Sequence, residues 1–274
     1  TNDDGINASG LRAAAEVLSH VGNVIVVAPD REQSGKGTSI SLSSPLRISK
    51  VKRIAAGVPS YAVEGTPADT VILALDHIAK DINLVVSGIN SGANLGEDIF
   101  ISGTVGAAFQ GYFRGLPSIA ISVGSLHPPT FQGAAVILAD IVRQIEKEGY
   151  LKRLLLNINV PSIQPSDICG IDVTRLGGRA YADVITKGDD GKREYYWISH
   201  GTPAWHLEEG TDIWSVKNNR ISITPLHTDL TDGEKLGEIN KFADTIIHNK
   251  QVVNGSSHDA LQTMELVYNI YNQS

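Results

Sequence analysis

The sequence predicts an α/β protein, an open and mainly parallel sheet with helices on both faces. Three observations carry this. Short β-branched runs at 23–29, 82–87, 117–123 and 154–160 are mainly apolar, as strands covered on both faces are. Helix-period patterns alternate with these runs, which is how parallel strands are connected. Polar, glycine-rich loops follow several strands, and 27 glycines in 274 residues suit many tight strand–helix connections.

In chain order, Thr1-Asn2-Asp3-Asp4-Gly5 forms a compact acidic turn. Such a turn belongs at the end of a parallel strand, so an apolar strand is expected ahead of residue 1. A helix follows over 11–21, with Leu11, Ala14, Ala15, Leu18 and Val21 on one face, Ser9 as N-cap and Gly22 as C-cap. The run Asn23 to Pro29 is a buried strand that empties into the loop 30–37. Residues 39–64 alternate as extended strands or a hairpin arm. Thr66 then caps a helix that Pro67 opens and that runs to about residue 79. The strand at 82–87 leads into the loop 88–96. Ser102-Gly103-Thr104 opens a helix of small residues through 114, and strand 117–123, helix 131–148 and strand 154–160 complete the alternation.

The texture changes after about residue 175. Gly177-Gly178, Gly188-Asp189-Asp190-Gly191 and the run Tyr195-Tyr196-Trp197 predict a protruding hairpin within about 177–220. Residues 220–226 form one more strand, and 234–248 and 257–272 two helices joined by the polar link 251–256. The last helix carries Leu261, Met264, Val267, Tyr268 and Tyr271 on one side, a stripe for its own subunit or for a neighbour. The domain plan is one unit over 1–250 and a tail over 251–274.

A net charge of −7 disfavours a nucleic-acid polymer or an anionic membrane as partner, since both demand a surplus of Lys and Arg. One cysteine, Cys169, precludes an intrachain disulfide and fits a reducing, cytoplasmic setting. No apolar run reaches the roughly 20 residues that span a bilayer. With a segment expected ahead of residue 1, a targeting peptide there stays open.

The chemistry concentrates at one edge. Ligands of open parallel sheets bind outside the carboxyl ends of the strands. The turn 2–5 and the loops 30–37 and 88–96 are therefore expected to converge. Asp3 and Asp4 offer carboxylates, Ser34 a hydroxyl and Asn90 an amide oxygen. This all-oxygen set suits Mg²⁺, Mn²⁺ or Ca²⁺. Ser102-Gly103-Thr104 lies at a helix N-terminus, where unpaired N–H groups attract an anion. As a plain N-cap the same triplet would only close the helix and allow tight packing. A cation beside an anion seat points to phosphate chemistry, with Asp3 or Asp4 holding the attacking water or accepting its proton. Ser34-Gly35-Lys36 lacks the upstream glycine of a phosphate loop, and no G-x-G-x-x-G follows the first strand. The eight histidines are scattered without metal-ligand spacing.

Six motifs in this order carry a resemblance: Thr1-Asn-Asp-Asp-Gly5, Ala28-Pro-Asp-Arg-Glu-Gln-Ser-Gly35, Gly65-Thr-Pro67, Val86-Ser-Gly-Ile-Asn-Ser-Gly-Ala-Asn-Leu-Gly96, Ser102-Gly-Thr104 and Ile221-Ser-Ile-Thr-Pro-Leu-His227. Over nearly its whole length the chain closely resembles the stationary-phase survival protein SurE family of metal-dependent nucleotidases. The resemblance implies a Rossmann-like core, a projecting hairpin and a C-terminal helix exchanged between subunits of a dimer, sometimes a tetramer. It implies hydrolysis of nucleoside 5′- and 3′-monophosphates, in some members also of short polyphosphate. It maps one divalent metal per subunit onto Asp3, Asp4, Ser34 and Asn90, and the phosphate surroundings onto Asn94, Ser102, Gly103 and Thr104. Ile101 departs from the pattern, which commonly has tyrosine there. Two other readings of the residues predict different behaviour: a nucleotide sensor that binds without turnover, or a glycosyltransferase-like enzyme holding a nucleotide-sugar through Mn²⁺.

Overall fold

The computed structural model describes residues 1–124, 130–149, 153–180, 183–200, 204–205 and 207–248. Its elements, in chain order, are α1 (Ser9–Leu18), β1 (Val26–Pro29), β2 (Ile48–Lys50), β3 (Ser60–Val63), α2 (Pro67–Leu73), β4 (Val85–Ser91), α3 (Gly103–Phe113), β5 (Ser118–Val123), α4 (Gln132–Glu148) and β6 (Leu155–Val160). There follow β7 (Gly170–Val173), β8 (Arg179–Ala180), β9 (Asp183–Asp189), β10 (Glu194–His200), β11 (Ala204–Trp205), α5 (Asp212–Lys217), β12 (Arg220–Pro225) and α6 (Gly233–His248). A π-helical turn, Ala74–Ile78, continues α2, and a 3₁₀ turn, Gly96–Phe100, precedes α3.

The main sheet has five strands in the order β4-β5-β6-β12-β7. β4, β5 and β6 are parallel, β12 runs antiparallel to β6 and β7 parallel to β12. Alternation along β5 sends its side chains to two faces. Ile119, Ile121 and Val123 join Ala14 of α1 and Ala134, Ala135 and Leu138 of α4 in one cluster. Ala120, from the other face, packs with Val105 and Ala108 of α3. Helices on both faces thus cover strands that carry apolar residues toward both sides.

The expected single sheet is divided. β1 pairs with β3 in a separate three-stranded sheet, β1-β3-β2. The N-terminal segment bridges the two sheets. The Thr1 amine donates to Val86 O of β4 at 3.0 Å, Gly88 N donates to Thr1 O at 2.9 Å, and Ile6 N donates to Pro29 O of β1 at 2.8 Å. An apolar cavity of about 80 Å³ adjoins this bridge, lined by Thr1 with Ile25, Val27, Val71, Ile82 and Val85.

Local differences from the sequence reading have local causes. α1 begins at Ser9 itself, with Ala8 at the N-cap and no side-chain cap, and ends at Leu18. Gly22 still closes it, donating its N–H to Leu18 O. Thr66 caps α2 in a reciprocal box with Asp69, as expected of Thr66-Pro67. β4 runs on to Ser91, into residues read as loop, because Asn90 and Ser91 keep pairing with Ser122 and Val123 across a register shift. The hairpin forms as β9 and β10, paired antiparallel from Asp183↔His200 to Asp189↔Glu194. Tyr195, Tyr196, Trp197 and Ile198 on it are exposed.

From Thr228 on, the described residues belong to a second compact unit. In it, the Asp232 side chain accepts from Glu234 N and Lys235 N at the start of α6. The helix expected at 257–272 lies outside the described residues. Among the described residues, no helix is long and apolar enough to cross a membrane.

Candidate active site

The acidic turn is held from three directions. Its Gly5, at φ +93°, lies against the backbone of Arg31, where a Cβ would come within 2.9 Å of the Arg31 carbonyl carbon. A left-handed, crowded position of this kind needs glycine. Gln33 N donates to Asp3 O at 2.7 Å, which brings the Ser34 loop beside the turn. Ser91 N donates to Asp4 Oδ2 at 3.3 Å, which brings the end of β4, and with it Asn90, beside Asp4.

The start of α3 meets the same turn. Thr104 donates to Asp3 through both its N–H (3.2 Å) and its hydroxyl. A Cβ at Gly103 would lie 2.8 Å from Asp3 Cβ. The close approach at Gly103 is thus that of Asp3. Ser102 is the N-cap, its hydroxyl accepting from Val105 N at 3.1 Å. That hydroxyl keeps its own hydrogen to donate. Among the described hydrogen bonds none uses the Gly103 N–H.

Electrostatics make the aspartates receptive to a cation. Burial raises the Asp3 carboxyl above its usual range, against the opposing pull of the Thr104 hydrogen bond. Asp4 is pushed up to about 6, first by burial and then by the charge of Asp3. A divalent ion between them would reverse both effects. Asn90 Nδ2 donates to Gly92 O at 2.7 Å, which leaves its Oδ1 as the donor atom for a metal. Ser34 is exposed, and its hydroxyl donates to Glu32 Oε1 at 2.9 Å. No group of three or more His, Cys, Asp or Glu able to hold a metal occurs among the described residues. The donor set is instead two carboxylates completed by neutral oxygens, a hard set that fits Mg²⁺, Mn²⁺ or Ca²⁺.

Asn94, 8% exposed, is anchored deeper in the main sheet. Its backbone N–H donates to Asn159 Oδ1 at 2.8 Å, and its carbonyl accepts from Asn157 Nδ2 (2.8 Å) and Asn159 Nδ2 (3.0 Å). Its side-chain Nδ2 donates to Ser122 Oγ at 2.8 Å. Two residues on, Gly96 N donates to Asp212 Oδ2 at 2.8 Å, and Asp212 also accepts from Gly177 N and Ile213 N. Asn157, Asn159, Ser122 and Asp212 are fully buried, and the sequence reading passed over all four. A signal was present: Asn-Ile-Asn at 157–159 interrupts an apolar run that strands seldom break with asparagine.

The model of the family described as Survival protein SurE matches residues 1–183. A 5′-nucleotidase SurE of Dehalococcoides mccartyi is 45% identical over 230 residues, covering 83% of this chain and 87% of that protein. One from Geobacter sulfurreducens is 44% identical over 245 residues, with 88% and 92% covered. The crystal structure of the SurE protein from Aquifex aeolicus superposes with a TM-score of 0.76 at 42% identity, covering 89% of this chain and 98% of that one. The expected Rossmann-like α/β architecture is borne out by that likeness and by the parallel β4-β5-β6 core. A match over residues 1–183, joined by relatives above 40% identity across most of their length, leaves one assignment: the chain belongs to the SurE family.

Proposed function

We propose that this chain is a 5′-nucleotidase, a phosphomonoester hydrolase that splits nucleoside monophosphates into nucleoside and phosphate with one divalent cation per subunit. The observation that carries the reading is the junction of Asp3 with Thr104, which sets a carboxylate pair against the N-terminus of α3. The names of the relatives support the same activity. Asp3, Asp4, Ser34 and Asn90 would hold the cation. The chemistry a divalent cation supplies in such a seat is charge neutralisation at a phosphoryl oxygen and a lowered pKa for water.

The side chains divide the remaining work. Ser102 Oγ–H, Gly103 N–H and the second hydrogen of Asn94 Nδ2 donate to phosphate oxygens. Thr104 spends both its donors on Asp3, so it orients that carboxylate. Asp4, less buried than Asp3, orients the attacking water and takes its proton. The reading extends to 3′-monophosphates, to a cytoplasmic setting, and to a homodimer or tetramer assembled through the hairpin and the helix at 257–272, with 1–250 as the catalytic unit.

The test is phosphate release from adenosine and guanosine monophosphates with Mg²⁺ or Mn²⁺. Activity is expected to vanish with EDTA and to return when the metal is restored. Turnover that survives EDTA would sink the metal-dependent reading.

A further inference from the structure

We infer that Asn157, Asn159 and Ser122 form a positioning clamp for the phosphate-binding amide of Asn94; the inference rests on the reading of Asn94 given above. The backbone N–H and C=O of a loop residue ordinarily bond to other backbone or to water. At Asn94 both are taken by two buried side chains of β6, with Asn159 bonding both groups and Asn157 reinforcing the carbonyl. Ser122, the neighbour of Asn159 in the β5–β6 register, receives one hydrogen of the Asn94 amide. Three buried polar side chains on two central strands thus fix one residue in position and in side-chain rotation. The amide's second hydrogen is the product of that arrangement.

The chemistry explains why an amide stands at position 159 of β6. A planar amide carries its acceptor and its donor on separate atoms, so Asn159 Oδ1 takes the N–H and Nδ2 gives to the C=O of one residue at once. At position 159 an aspartate would set a second oxygen against the Asn94 carbonyl, and a leucine would leave the buried Asn94 N–H without its partner and the carbonyl with Asn157 alone. Gly92 N, donating to Val123 O, and Gly96 N, donating to Asp212, hold the loop on either side. The loop is thereby rigid where it meets phosphate, and preorganisation of this kind raises affinity by reducing the ordering that binding requires.

A clamp and a merely structural role differ in what they move. Asn159→Asp, Asn157→Ala and Ser122→Ala are to be compared with the wild-type chain for inorganic phosphate affinity by calorimetry, half-saturating Mg²⁺, and KM and kcat for adenosine monophosphate. Each variant is expected to weaken phosphate binding and raise KM by about tenfold, the loss of one buried hydrogen bond. Half-saturating Mg²⁺ should stay within about twofold, because the proposed metal donors are other residues. In an Asn94→Ala background the three substitutions should weaken phosphate binding no further, while Asn159→Asp and Asn157→Ala, whose bonds go to the backbone of residue 94, should still lower the melting temperature.

Phosphate affinity unchanged in the folded variants, or losses that add in full to Asn94→Ala, would overturn the clamp. Ser122→Ala, which removes a single hydroxyl, keeps the test open should an asparagine variant not fold. A wild-type chain that binds inorganic phosphate without hydrolysing nucleotides would sink the nucleotidase reading alone. The Asn94 cycle would then decide the clamp on binding. A wild-type chain that binds no phosphate overturns the clamp as well.

Discussion

Two loops flank the acidic turn and are held by different means. The loop 92–96 is pinned at Gly92, Asn94 and Gly96, at the last two by buried side chains of β6 and α5. The loop 30–37 reaches the site through backbone bonds, Gln33 N to Asp3 O and Gly37 N to Ile101 O. Its proposed ligand Ser34 stays exposed and turned to Glu32. The difference separates two tasks. A side chain fixed by buried strands, like the Asn94 amide, is set before any ligand arrives, whereas an exposed hydroxyl on a loop adjusts to what it binds.

Four experiments sharpen that contrast, the largest effect first. Asp4→Asn removes a carboxylate of the proposed metal seat, and kcat/KM should fall by about three powers of ten or more in a steady-state assay. Retained activity would contradict the seat. Asp212→Ala takes away the acceptor of three buried N–H groups and frees the loop at Gly96. Denaturant melts should show a loss of about 3 kcal/mol, the scale of a broken buried network; a loss under about 1 kcal/mol would mean that the pinned loop is not pinned there.

The third experiment is a pH series. Burial, then the charges of Asp212 and Glu97, push the Asp98 carboxyl up to about 7 from its usual 3.8. The folded state thus holds a proton there that the unfolded chain has released. The contribution of this group to stability therefore falls as pH rises from about 4 to about 7, by up to about 1.4 kcal/mol per pH unit. Asp98→Asn should flatten the slope of unfolding free energy over that window; an unchanged slope would place its origin elsewhere. Last, Ser34→Ala should lower kcat/KM by about tenfold and raise half-saturating Mg²⁺, with the melting temperature unchanged, because its side chain stabilises nothing but Glu32 among the described hydrogen bonds. A drop in melting temperature would show the exposed loop to be structural after all.

Much of this architecture was legible. Strand runs at 117–123 and 154–160 coincide with β5 and β6, because strands covered on both faces announce themselves by apolar residues at successive positions. The loops that would carry Ser34, Asn90 and Asn94 were legible because glycine and polar residues cluster after such runs. The division of the sheet was not. It depends on which backbone edges the segment from Thr1 to Ile6 joins, and no local pattern encodes that. Nor did Ser102-Gly103-Thr104 disclose that it receives Asp3, since residues 101 positions apart in the chain meet only through the packing of α3 on β4.

By itself, then, the sequence determined the α/β class, the order of strands and helices, and an oxygen-rich set of candidate ligands, all of which follow from periodicity and residue chemistry within short windows. The tertiary structure decided which of those atoms remain available. It committed Thr104 to Asp3 and left Ser102 and Gly103 with donors to spare. It also turned two asparagines of an apolar strand into the support of Asn94. A hydrogen bond across 63 or 65 residues depends on where the whole sheet places its ends, and that is a property of the packed chain.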